Sequence, residues 1–172
     1  MDNITLLMEE ANRAFKTADH LAYVTYPVVT DRKLLMVIVE HLHRAITKSV
    51  EAILAYEYLY KRINHLPRDV STQFSLFGET AVHYGIKKDL VSIMREINEI
   101  VDHRDKSPIE FVRKDRFIIA SDTFHLKTVT IEKVKSYIQH IKHLLEKINE
   151  VKTIYDGRFS RDSQRRVEAC RP

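Results

Sequence analysis

The sequence predicts an all-α protein: an antiparallel up-and-down four-helix bundle with a small β-hairpin or extended insert before the last helix. Three observations predict it. Apolar residues recur at spacings of three and four along four long segments. Only three Gly and four Pro interrupt 172 residues, which leaves room for long uninterrupted helices. One stretch, 113–130, changes to β-branched and aromatic residues and so to an extended period.

The first helical stripe, over 3–24, is Ile4, Leu7, Met8, Ala11, Phe15, Ala18 and Leu21 or Ala22. Pro27 follows and is expected to end it, because proline disfavours helix in the residue before it. Thr30 is the expected cap of the second helix, with Asp31 favourable in its first turn. That stripe runs Leu35, Ile38, Leu42, Ala45, Ile46, Ser49, Ile53, Tyr56, Tyr60, Ile63 and stops near His65-Leu66-Pro67. Its length is about 30 residues, or roughly 45 Å at the helical rise. The segment 70–85 allows a short helix through Phe74, Phe77 and Ala81, against Gly78 in its middle; Gly85 ends it. The third long helix covers 87–103. Its apolar residues Leu90, Ile93, Met94, Ile97, Ile100 and Val101 fall within an arc of about 120°, and Ser107-Pro108 closes it. The 113–130 hairpin turns at Ser121-Asp122. Thr130 caps the last helix, whose stripe is Ile131, Val134, Tyr137 or Ile138, Ile141, Leu144 or Leu145, Ile148 and Val151. Gly157 is its natural stop. Long amphipathic helices with modest connections pack as a bundle. The organisation is one domain, 1–156, with an insert at about 104–129, and a basic C-terminal tail, 157–172, read as disordered.

The formal net charge is +4, but the last 16 residues carry five Arg against one Asp and one Glu, so +3 of it. The other 156 residues are then near neutral at +1, which argues against a uniformly basic nucleic-acid domain. Cys170 is the single cysteine, which excludes an intramolecular disulfide and a cysteine zinc site within one chain. The N-terminal MDNITLLMEEANRAF has acids where a secretory signal has a basic end and an apolar run. The longest strongly apolar run, LLMVIV at 34–39, is far below a membrane span. A cytoplasmic protein without a membrane partner is expected.

Several chemistries lack their motifs. A di-iron carboxylate bundle needs Glu-x-x-His pairs on two helices, and none occurs. His140 and His143 share a face at i, i+3 but read as surface residues. His41 and His43 point about 200° apart on a helix and cannot chelate together. No Gly-rich phosphate loop, no Gly-x-Ser-x-Gly and no Cys beside a base is present. No metal and no cofactor is expected. Tyr56 and Tyr60 of AYEYLY fall on one face and read as core or interface.

The end of the third helix, INEIVDHRDKSP at 97–108, is where function is legible. On a regular helix Asn98 and His103 lie about 140° apart, whereas Glu99 and His103, at i and i+4, are neighbours. The plain reading is an exposed imidazole favoured by the helix C-terminus and by Glu99. Arg104 falls where the core should be, so the helix should end there.

REINEIVDHRDKS before an extended segment, then TVTIEKVKSYIQHIKHLLEKI, resembles the second half of a HEPN domain. HLHRAITKSVEAILAYEYLYKRI at 41–63 is similar to the HEPN helix with small residues and a Lys-x-x-Glu-Ala-x-Leu pattern. The resemblance spans about residues 3–155. It implies a helical bundle, a homodimer, and either a metal-independent ribonuclease or a partner of a small nucleotidyltransferase or of RNA. The family's signature is an Arg, four to six residues, then a His. His103 occupies the His position, but Asn98 stands where the Arg belongs, and Arg95 lies outside the usual spacing. Metal-free RNA cleavage needs an acid/base group and a charged donor at the phosphate. His103 meets the first need. Asn98 is uncharged and cannot replace a guanidinium, so Arg95 or Arg104 would have to serve. The resemblance therefore implies a non-catalytic interaction or RNA-associated module, with an endoribonuclease using His103 and Arg95 or Arg104 as the alternative. The following segment, RDKSPIEFVRKDR at 104–116, reads as a solvated loop; its Lys106, Arg113, Lys114 and Arg116 would form a basic lip if a cleft lies beside it.

Overall fold

The computed structural model describes residues 2–29, 31–107, 109–120 and 125–169, with side chains from residue 3 to 151 in those ranges and at 153. The chain is mostly helical with one small antiparallel sheet, as the period of its apolar residues predicts.

Helix α1 is Asp2–His20. Its inner face is small: Ala11 and Ala18 are wholly buried, and Ala14 nearly so. Small side chains let α1 lie close along α3 (Lys33–Leu59), its main neighbour. The sequence predicts that Pro27 ends this path, but it does not. The backbone widens into a π-turn at Leu21–Thr25 and continues as α2 (Tyr26–Val29). The Tyr26 N–H bonds the Leu21 carbonyl five residues back. Widening accommodates a proline that has no N–H to give the preceding turn.

Helix α3 has 27 residues. Thr30, its expected cap, lies outside the described residues; Asp31 Oδ1 accepts from the Lys33 N–H at 2.9 Å. Leu35, Ile38, Leu42, Ile46, Val50 and Leu54 are among many wholly buried side chains. They cover most of the helix circumference because α1, α4 (Val70–Thr80), α5 (Lys88–Asp105) and α6 (Ile131–Ala169) all pack on it. The helix stops at Leu59, earlier than the stripe through Ile63 predicts. Lys61 turns left-handed at φ 56°, its N–H bonding Tyr58 O at 3.0 Å, while the Arg62 N–H bonds Glu57 O at 2.8 Å. This is the usual closing motif of a helix, with lysine where glycine is favoured. The left-handed conformation costs a lysine roughly 1–2 kcal/mol, and no local sequence signal announces it.

The ambiguous 70–85 segment is helix. Asp69 caps α4 by accepting from the Thr72 N–H at 2.8 Å. A 3-10 turn, Ala81–Tyr84, follows, and Gly85 at φ 66° ends it, as predicted. Helix α5 buries Met94, Ile97 and Ile100 on the predicted arc and also Val91 beside it, while Leu90, Ile93 and Val101 of that arc are half-buried.

The insert is larger than a hairpin. Strands β1 (Ile109–Arg113), β2 (Arg116–Ala120) and β3 (Leu126–Val129) form an antiparallel sheet in that order. The β2–β3 pairing, with Phe117 opposite Val129, is the expected hairpin, though its Ser121-Asp122 turn lies outside the described residues. Strand β1 replaces the loop expected at 104–116. It returns to β2 through Lys114-Asp115, with Lys114 left-handed at φ 56°. Phe117, Ile119 and Val129 share one face and join the core, which anchors the sheet on the helices.

Thr130 caps α6 as predicted, its Oγ1 accepting from the Lys133 N–H at 3.3 Å. Val134, Ile138, Ile141, Leu144, Leu145 and Ile148 form the buried stripe. The helix passes through Gly157 to Ala169 rather than stopping there. A glycine inside a helix costs about 1 kcal/mol against alanine, which helix-forming neighbours can offset. Among the described residues no helix is long and apolar enough to cross a membrane.

Candidate functional site

The last turns of α5 meet α3 on one side and the sheet on the other. Helical spacing puts Arg95, Asn98 and Asp102 on one flank of α5. Asn98 faces α3: its Oδ1 accepts from His43 Nε2 at 2.9 Å, and its Nδ2 donates to Asp102 Oδ2 at 3.2 Å. His43 also meets Phe74 of α4 edge-on, with ring centroids 6.5 Å apart. The result is a His43–Asn98–Asp102 hydrogen-bonded chain across α3 and α5. Arg95 is exposed beside it and lies along α4, its Nη2 3.6 Å from where a Cβ on Gly78 would stand. Among the described residues Arg95 makes no ion pair.

His103 points away from this chain, toward the sheet. Its Nε2 donates to the His125 carbonyl just before β3 at 3.1 Å. A carbonyl only accepts, so Nε2 carries a proton, and in the neutral ring Nδ1 is then the accepting nitrogen. Glu99, the expected neighbour of His103, instead pairs with Lys127 of β3 at 3.0 Å. Asn98 and His103 are not brought together.

Arg104 is held between two carboxylates. Its Nε donates to Glu110 of β1 at 2.7 Å, and its Nη1 contacts Glu40 of α3. The hydrogen bond to Glu110 raises the guanidinium pKa, against an opposing effect of burial, so the arginine stays charged and paired. Its job here is to tie α5, α3 and β1 together. The sequence places Arg104 on the core side of the helix; the salt bridges explain how a charge is accommodated there.

The basic residues divide. Lys106 is exposed at the end of α5. Arg113 and Arg116 stand directly opposite each other at the turn end of the β1–β2 hairpin, with Lys114 in the turn itself. None of these four makes an ion pair among the described residues, although Asp115 between them pairs with Arg32 at 2.6 Å. Like charges directly opposite on a sheet repel. The Tyr137 hydroxyl of α6 is buried and makes no well-formed hydrogen bond among the described residues, and burial first, then the neighbouring Glu96 carboxylate, raises its pKa far above the usual tyrosine value.

No metal site gathers: among the described residues no three His, Cys, Asp or Glu side chains cluster. His140 bonds back to the Ser136 carbonyl at 2.7 Å, and His143 to Glu146 at 3.3 Å, each within α6. Sequence reasoning missed His43, Glu40 and Glu110. Each reaches the site from another element, so local periodicity holds no signal for it. Asp102 was visible as the i+4 neighbour of Asn98.

No protein-family model, no curated protein and no solved structure matches the chain.

Proposed function

We propose that the chain is a HEPN-like, non-catalytic interaction module: an RNA-associated homodimer, or the partner of a small nucleotidyltransferase, in which α1, α3, α5 and α6 form an antiparallel four-helix bundle. The observation that carries the non-catalytic reading is the engagement of Arg104 by Glu40 and Glu110. A guanidinium whose charge is already compensated by two carboxylates, with Nε and Nη1 both engaged, is poorly placed to stabilise a scissile phosphate. Asn98, in the place of the motif arginine, is likewise committed to His43 and Asp102. The RNA-associated part is supported by Arg113 and Arg116, opposed on the hairpin with no carboxylate paired to either among the described residues, where a phosphate backbone would relieve their repulsion.

Self-association is supported by the end of α3. Tyr56 turns into the core, but Tyr58, Leu59 and Tyr60 are exposed, beside an exposed Leu66. Aromatic and aliphatic side chains grouped this way are typical of contact surfaces. Sedimentation equilibrium at micromolar concentration tests it. The expected mass is twice the 20.3 kDa of one chain, falling to one chain in Tyr58→Asp/Leu59→Asp. A monomeric wild type overturns the dimer.

The alternative is a metal-independent endoribonuclease using His103 with Arg95. Two features favour it: with Nε2 bound to a carbonyl, the neutral His103 ring would present Nδ1 as an acceptor, and Arg95 has no carboxylate partner among the described residues. Against it, the two lie eight positions apart, with seven residues between them, or about 12 Å along the helix axis, too far to act on one phosphate without rearrangement.

A further inference from the structure

A cleft of about 240 Å³ opens between α1 and α3, lined by Glu10, Arg13, Ala14, Thr17, His41 and Arg44. It lies away from the site above: His41 and His43 point about 200° apart around α3, and His43 is the one that faces α5. Two arginines from two different helices, Arg13 and Arg44, line this cleft. Neither has a carboxylate within ion-pairing distance among the described residues. The natural partner of Arg44, Glu40 one turn back, is taken by Arg104. The acid of the cleft, Glu10, lies 4.0 Å from Lys48, whose closer partner is Glu51 at 2.9 Å. The cleft therefore holds an excess of positive charge.

We propose that the α1–α3 cleft is an oxyanion site that takes one phosphoryl group of a phosphate ester, gripped by Arg13 from α1 and by Arg44 and His41 from α3. Two like charges in one cleft repel when it is empty. An anion between them turns that repulsion into two charge-assisted contacts, and guanidinium groups match a phosphoryl group with paired N–H donors. Thr17 contributes shape rather than a donor, because its hydroxyl already donates to the Arg13 carbonyl at 3.0 Å. Volume sets the size of the occupant. Sites for drug-sized ligands run from about 300 to 1,000 Å³, so this smaller cleft suits a phosphoryl group with at most part of the attached ester. Glu10 at the wall favours a group of low charge over a polyphosphate. The site is independent of the proposed function, since it involves neither α5 nor the sheet.

Amide-resolved NMR titration of the full chain with sodium phosphate, against sodium chloride at matched ionic strength, tests this. The expected result is saturable shifts with phosphate at Arg13, Thr17, His41 and Arg44 and none with chloride. Binding should weaken about tenfold or more in Arg13→Gln/Arg44→Gln, which loses two charge-assisted contacts. Both arginines are exposed, so the fold should survive, and the remaining spectrum reports that directly. Glu10→Gln, which removes the acid and leaves both arginines, should tighten binding about twofold. Adenosine 5′-monophosphate and a single-stranded RNA oligonucleotide distinguish the two sources of the group. Tighter binding of the nucleotide at the same amides assigns a free monoester, and tighter binding of the RNA assigns a backbone phosphate. Shifts that scatter over the surface, fail to saturate, or persist unchanged in Arg13→Gln/Arg44→Gln overturn the site.

Discussion

Tyr84→Phe should cost this protein measurable stability although it removes one atom. Glu57 is the only carboxylate buried among the described residues, with 2% of its surface exposed. It sits in the last turn of α3 and accepts from the Tyr84 hydroxyl and from Arg62 Nη1 at 3.1 Å. Tyr84 belongs to the 3-10 turn that follows α4, so the contact fastens that turn to the central helix. A buried carboxylate that loses a donor has no water to replace it. A hydrogen bond to a charged group contributes about 1.5–3 kcal/mol. For a chain of this length each kcal/mol moves Tm by about 2–4 °C, so the expected fall is about 3–12 °C. Differential scanning calorimetry of wild type, Tyr84→Phe, Glu57→Gln and the double variant gives the cycle. The coupling between the two sites should exceed about 0.5 kcal/mol, since the groups are in direct contact. A Tyr84→Phe protein that melts with wild type, or a cycle that closes at zero, refutes the assignment of Tyr84 as partner of the buried carboxylate.

Other perturbations have equally definite outcomes. Asp69→Ala should lower Tm by uncapping α4, whereas Asp69→Asn should keep most of the cap. The Thr72 hydrogen bonds hold the Asp69 pKa below 3.8, so its contribution is present above that value and lost as pH falls through the lower folded value. The Tm gap between wild type and Asp69→Ala should therefore close in acid. Tyr137 behaves oppositely. Its folded pKa is raised above the ordinary 10.0, so its contribution is intact below that value and is lost as pH rises past it. Alkaline denaturation should begin at lower pH in wild type than in Tyr137→Phe. Arg104→Ala removes two partly exposed ion pairs and should cost about 1 kcal/mol. Hydrogen exchange should quicken in β1, which Glu110 anchors to α5 through that arginine. Ile97→Ala, at a wholly buried position on α5, should cost about 2–5 kcal/mol by calorimetry.

Helix positions were legible because apolar spacing is a local property. The α5 arc of Met94, Ile97 and Ile100 and the α6 stripe from Val134 to Ile148 are buried as their sequence spacing predicts. Features set by single backbone conformations were not. Lys61 and Lys114 are left-handed without being Gly or Asn, so the end of α3 and the β1–β2 turn had no composition signal. Pro27 is a strong breaker in sequence, yet a π-turn carries the chain past it. Gly157 failed as a stop for the opposite reason: a glycine ends a helix only when its backbone turns left-handed, and α6 remains helical there. At the candidate site the sequence located the right stretch of α5 but not the partners. Whether Arg104 is free or neutralised depends on Glu40, 64 residues away. Likewise Asn98 acquires its role from His43, 55 residues earlier.

The most direct test of the account is RNA cleavage in EDTA, on a mixture of structured RNAs, by wild type and by His103→Ala. The account predicts intact RNA with both proteins, because the guanidinium nearest His103 is already bound to Glu40 and Glu110. Metal-free cleavage by wild type that disappears in His103→Ala would contradict it and make the end of α5 a ribonuclease site.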